Sequence, residues 1–101
     1  MALAITDATF DEVVLKSSNP VMVDFWAAGC PPCRAMNPVI EALAKNFKVC
    51  KVNVDTNQEL AAHYQISSIP TFLIFKDGAL AARHVGVVPK ATLEAELRRL
   101  L

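Results

Sequence analysis

Cys30 and Cys33 flank Pro31 and Pro32 at the end of an apolar run, in the stretch Trp26-Ala27-Ala28-Gly29-Cys30-Pro31-Pro32-Cys33. Cysteines at this spacing serve either as half of a zinc site or as a dithiol that cycles to a disulfide. A structural zinc takes four protein ligands, and Cys50, His63 and His84 are not spaced as a second ligand pair, which weakens the zinc alternative. Two inert core thiols are the other bland possibility. The surroundings favour redox chemistry. Val21, Met22, Val23, Phe25 and Trp26 lead in as a buried strand, and the residues from Arg34 to Phe47 lead out with helical spacing. A cysteine at such a junction meets free backbone N–H groups and the positive end of the helix dipole, which stabilise the thiolate, the reactive form.

The elements that must position this pair can be read in chain order. Ala2 to Ile5 is a short apolar edge strand, and Thr6, Asp7 and Thr9 offer N-caps for a first helix ending near Lys16. After the loop Ser17-Ser18-Asn19-Pro20, the run Val21 to Trp26 has the pattern of a central strand covered on both faces. Cys30 caps the next helix, with Pro31 and Pro32 in its first turn, where a missing N–H costs little. Pro38 is expected to bend that helix. Val49, Val52 and Val54 mark the next strand, and Gln58 to Tyr64 a short helix. Thr71 to Phe75 and Leu80 to Val85 form a hairpin across Lys76-Asp77-Gly78-Ala79, and a final amphipathic helix starts near Pro89. The order is β-α-β-α-β-α-β-β-α, a mixed sheet with helices on both faces.

Composition sets bounds on function. A chain of 101 residues with 53% hydrophobic residues, no repeat and no linker reads as one domain, 1–101, able to bury a core without disulfide staples. Ten basic and ten acidic residues leave no formal charge and no basic stripe, so nucleic acid is not an expected partner. No apolar run is long enough to span a bilayer, and Met1 to Pro20 lacks the pattern of a secretory signal. Three cysteines do not form the even framework of a small secreted protein, so a reducing, cytoplasmic setting is expected. Asp24 lies inside the apolar strand, where loss of solvation raises a carboxyl pKa and lets it exchange protons near neutrality.

Trp26-Ala27 before Cys30-x-Pro32-Cys33, Pro38 five residues past the second cysteine, Ile69-Pro70-Thr71 and Phe75-Lys76-Asp77-Gly78 together resemble the thioredoxin family over essentially the whole chain. The resemblance implies an α/β thioredoxin fold with a central five-stranded mixed sheet, first three strands parallel and last two an antiparallel hairpin, flanked by four helices. It implies a protein-disulfide reductase without metal or external cofactor, whose redox group is a reversible Cys30–Cys33 disulfide. Cys30 would be the exposed nucleophile and Cys33, deeper in the first turn, the resolving thiol. Asp24 would accept the Cys33 proton, with Lys51 nearby moderating its charge; a solvated lysine is the plain alternative. The resemblance places a cis bond before Pro70 and gives the Ile69 backbone the role of pairing with an extended substrate segment. Gly86 would permit close approach in the facing loop, and Trp26 would pack against the redox turn.

Two positions depart from the family's usual residues. Thioredoxins place a tryptophan before the first cysteine and a glycine after it, where this chain has Gly29 and Pro31. The Cys-Pro-Pro-Cys turn is similar to that of tryparedoxins. Both positions border the nucleophile, so they are expected to alter partner choice and redox tuning. Cys50 reads as a small buried hydrophobe, and His63 and His84 as surface residues. Implied partners are disulfide-containing proteins and a flavin- or ferredoxin-linked thioredoxin reductase, with the protein itself a monomer. Two further functions stay open: a dedicated electron donor to one enzyme such as a peroxidase, and a non-catalytic binding subunit that keeps only the fold.

Overall fold

The computed structural model describes all 101 residues. Five strands, β1 (Leu3–Ala4), β2 (Val21–Trp26), β3 (Lys48–Asn53), β4 (Thr71–Lys76) and β5 (Ala79–Val85), form one sheet in the order β1-β3-β2-β4-β5. The first three are mutually parallel, and β4 and β5 run antiparallel as a hairpin. The strand that ends at the cysteine pair is therefore the middle one. Its run of apolar residues suits that place, since each side chain meets a covered face. Three α-helices, α1 (Pro31–Ala44), α2 (Gln58–His63) and α3 (Lys90–Arg99), and one π-helical turn, Asp11–Leu15, make up the four helices of the thioredoxin fold.

Alternation along the strands splits the core in two. Val21, Val23 and Phe25 of β2, with Cys50 and Val52 of β3, pack under Phe10 and Val14 of the π-turn and Leu60 of α2. Met22 of β2 and Val49 of β3 face the other way, against Met36, Ile40 and Leu43 of α1 and Leu93 and Leu97 of α3. By the same alternation Asp24 and Lys51, which are register partners, share the α1 face. Tyr64 joins the aromatic ring contacts of Phe10, Phe25 and Phe75 beneath the first face.

The observed structure refines the sequence reading at several points. The first helix is a π-turn because the Lys16 N–H reaches back five residues to the Asp11 carbonyl. The α1 helix runs unbroken through Pro38, with that ring exposed, and stops at Ala44 rather than Phe47. The final helix starts where expected, at Lys90, with Pro89 as its N-cap in an extended conformation. The β4–β5 turn has Asp77 and Gly78 both at positive φ, 51° and 80°, the geometry of a two-residue hairpin turn matched to strand twist.

Candidate active site

The connection from β2 to α1 carries the cysteine pair. Cys30 has extended backbone and caps α1, its sulfur accepting a hydrogen bond from the Cys33 N–H at 3.2 Å. Pro31 and Pro32 fill the first two helical positions, where the absent N–H groups would have had no intrahelical acceptor. Cys30 and Cys33 are joined as a disulfide, while Cys50 is free and buried. When the disulfide opens, the Cys30 sulfur faces a backbone donor and the N-terminus of a 14-residue helix, both of which favour the thiolate. Cys30 keeps 8% of its surface and Cys33 only 3%. The expectation of an exposed nucleophile is thus corrected: Cys30 is nearly covered, packed with Ala27, Trp26, Val54 and Ile69, and is only the more accessible of the two sulfur residues.

Asp24 lies on β2 just before this turn, 1% exposed, and its Oδ1 has no hydrogen-bond partner. Burial pushes its carboxyl up from 3.8 to about 7, against a smaller downward pull from the Lys51 charge. Lys51 does not pair with it directly. The ammonium donates to Asn37 Oδ1 at 3.1 Å and stands 4.9 Å from the centre of the Trp26 ring. The half-buried Trp26 thus touches both the redox turn and the lysine.

A second loop borders the disulfide. The Ile69–Pro70 bond is cis, and the Ile69 carbonyl oxygen lies 3.9 Å from Cys30 Sγ. Neither the N–H nor the C=O of Ile69 takes part in a backbone–backbone hydrogen bond. Gly86 donates its N–H to the Pro70 carbonyl at 2.8 Å and holds φ at +87°, a conformation that disfavours any side chain. A Cβ there would meet nothing of the chain itself within 4 Å, so within the fold the backbone conformation is what calls for glycine. Gly29, Pro31 and Pro32 form an exposed rim, and a Cβ at Gly29 would also point into open space.

Sequence reasoning missed three polar partners. Asn37 stands four residues after Cys33 in α1, a spacing that puts both on one face and was available as a signal. His84, expected at the surface, is half-buried, with Nε2 3.0 Å from Glu96 Oε2 of α3; His63 is exposed as expected. Arg83 donates to the carbonyls of Tyr64 and Gln65 at 2.8 and 3.0 Å, which ties down the end of α2 where the loop to Pro70 begins. Neither pairing has a sequence signal, since each joins elements brought together only by the fold.

A disulfide at a helix N-terminus can open and re-form by exchange with another disulfide, needing nothing but the chain's own sulfurs to carry two electrons. The class this defines is the dithiol–disulfide oxidoreductases. The Thioredoxin family model matches residues 1–99. Thioredoxin 1 of Synechococcus elongatus is 50% identical, covering 100% of this chain and 98% of its own length. The thioredoxin of Porphyra purpurea is 46% identical over 96% of this chain and 94% of its own, and that of Pseudomonas aeruginosa 43% over 92% and 90%. The chain belongs to the thioredoxin family. It is a protein-disulfide oxidoreductase of the thioredoxin type, with a redox-active disulfide in place of an external cofactor, disulfide-containing targets and a thioredoxin reductase as partner class. No helix is long and apolar enough to cross a membrane.

Proposed function

We propose that this protein is a general protein-disulfide reductase in which Cys30 is the attacking thiolate, Cys33 the resolving thiol and Asp24 the proton acceptor. The Cys30 thiolate attacks one sulfur of a target disulfide; that bond breaks, a mixed disulfide forms, and the departing target thiolate takes up a proton. Cys33 then gives its proton to the Asp24 carboxylate and attacks the Cys30 sulfur. The target leaves as a dithiol, two electrons richer, and the enzyme, two electrons poorer, holds the Cys30–Cys33 disulfide. An acceptor works best with a pKa near the working pH, and burial brings Asp24 to about 7.

Substrate would lie as an extended segment along Ile69, whose N–H and C=O make no backbone–backbone hydrogen bond. Trp26, Gly29, Pro31 and Gly86 would frame it, while Pro32 sets the first turn of α1 and Lys51 tempers the Asp24 charge. The protein acts as a monomer in the cytoplasm, in electron transport from a flavin- or ferredoxin-linked reductase to its targets. The observation that carries this reading is the Cys33 N–H aimed at Cys30 Sγ at the start of α1, which prepares one sulfur of the pair as a leaving and attacking group. Reduction of insulin by dithiothreitol should be accelerated by the protein and not by Cys30→Ser. Failure of the unaltered protein to accelerate it would overturn the general-reductase reading.

A further inference from the structure

We propose that Asn37 is a positioning residue whose side-chain oxygen, together with the Trp26 ring, holds the Lys51 ammonium at the rim of the site and off the Asp24 carboxyl. This rests on the reading of Asp24 as the proton acceptor and concerns how that acceptor is kept free. Asp24 and Lys51 are register partners on adjacent strands, about 4.8 Å apart along the hydrogen-bonding direction, so a lysine side chain could reach the carboxyl. It is instead turned outward, with Nζ 3.1 Å from Asn37 Oδ1 and 4.9 Å from the Trp26 ring centre. The buried Oδ1 of Asp24 is left without any partner.

The balance behind this arrangement can be stated. A direct pair with Asp24 would draw the ammonium into a site that is 1% exposed, where both charges lose water. At the rim the same ammonium keeps two donors for solvent, gives one to Asn37 and lies over an aromatic face. Nothing else competes. On this face β4 sets Phe72 opposite Asp24 and α1 and α3 contribute Met36, Ile40, Leu93 and Leu97, all apolar, while Lys51 is the charge that pulls on the carboxyl. Removing the Asn37 oxygen releases the ammonium to approach Asp24, which favours the ionised carboxyl. A carboxylate placed at 37 binds the ammonium more firmly and adds its own negative field, which favours the protonated one.

The test is a carbon NMR titration of the Asp24 side-chain carboxyl in the oxidised protein, where Cys30 and Cys33 do not titrate, for the unaltered protein, Asn37→Ala, Asn37→Asp, Lys51→Met and Asn37→Ala combined with Lys51→Met. Asn37→Ala should lower the midpoint by about half a pH unit, a roughly threefold loss of proton affinity, as befits a charge contact at a partly exposed site. Asn37→Asp should raise it. Against Lys51→Met alone, the added Asn37→Ala should have no effect, because the lysine is the messenger. A midpoint unmoved by Asn37→Ala, or one that moves equally without Lys51, overturns the proposal. The pH–rate profile of insulin reduction separates it from the reading beneath it: a carboxyl midpoint that shifts without moving the profile supports the Asn37 role and refutes Asp24 as the proton acceptor.

Discussion

Replacing Asp24 by Asn should stabilise the protein, and by an amount that depends on pH in a stated direction. The carboxyl titrates at about 7 in the folded protein against 3.8 for an ordinary aspartate. Between those values the unfolded chain has lost the proton while the folded chain keeps it, so stability falls as pH rises through the window and levels off above it. The gap of about 3 pH units, at about 1.4 kcal/mol each, sets an upper bound of about 4 kcal/mol, and water reaching the site lowers it toward about 2 kcal/mol. Asparagine has nearly the same shape and no proton to lose. The variant should therefore match the parent near pH 4 and exceed it by about 2–4 kcal/mol at pH 8, or upward of about 10 °C in Tm for a domain of this size. Urea unfolding of both proteins, oxidised, at intervals from pH 4 to 8 measures it. Every other titrating group is common to the two and cancels in the difference. A gain that is constant across this range, or that grows toward acid, would refute the argument that β2 carries an uncompensated buried carboxyl.

Two more substitutions probe the rim and the facing loop. Gly29→Trp should fold with unchanged stability, since a Cβ there meets nothing within 4 Å, and should alter kcat/KM with insulin or with a thioredoxin reductase; unchanged values with both would remove position 29 from partner recognition. Gly86→Ala should cost about 1–2 kcal/mol in chemical denaturation purely through its positive φ, because there is room for the methyl group. It should also raise KM for a protein disulfide through the hydrogen bond from residue 86 to Pro70, so a loss of stability without a change in KM would separate the loop from substrate binding.

The parts of this molecule that were legible in its sequence are those where one residue type answers a local need. The run Val21 to Trp26 announces a strand covered on both faces, and the proline pair after Cys30 announces a helix start. Those elements alone reach a mixed sheet with helices on both faces; the particular fold and the disulfide chemistry came from the family resemblance that the cysteine turn, Ile69-Pro70-Thr71 and Phe75-Lys76-Asp77-Gly78 carry together. What stayed hidden depends on distant partners. Glu96 and His84 meet only because α3 lies over β5, and Arg83 reaches the end of α2 only across the sheet. Asn37 could have been placed near Cys33 by its four-residue spacing, but its bond to Lys51 became visible only once α1 was seated over β3. The π-turn at Asp11–Leu15 escaped for another reason: its hydrogen bonds differ from those of an α-helix by one residue, a difference that apolar spacing over so short a segment does not register.

The division of the core by the central sheet also fixes the stoichiometry of the chemistry. Cys50 lies one residue before Lys51 on β3 and so points to the opposite side from Asp24 and α1, enclosed by Phe10, Val23 and Leu60. Burial raises its thiol pKa, only partly offset by Lys48, so it stays protonated and poorly nucleophilic. The sheet behaves as an insulator between a reactive pair and a silent third thiol. An iodoacetamide count on the reduced native protein would find two sulfurs, and on the unfolded chain three. Each cycle then moves two electrons through one bond, with no internal route by which the Cys30–Cys33 disulfide could rearrange onto Cys50.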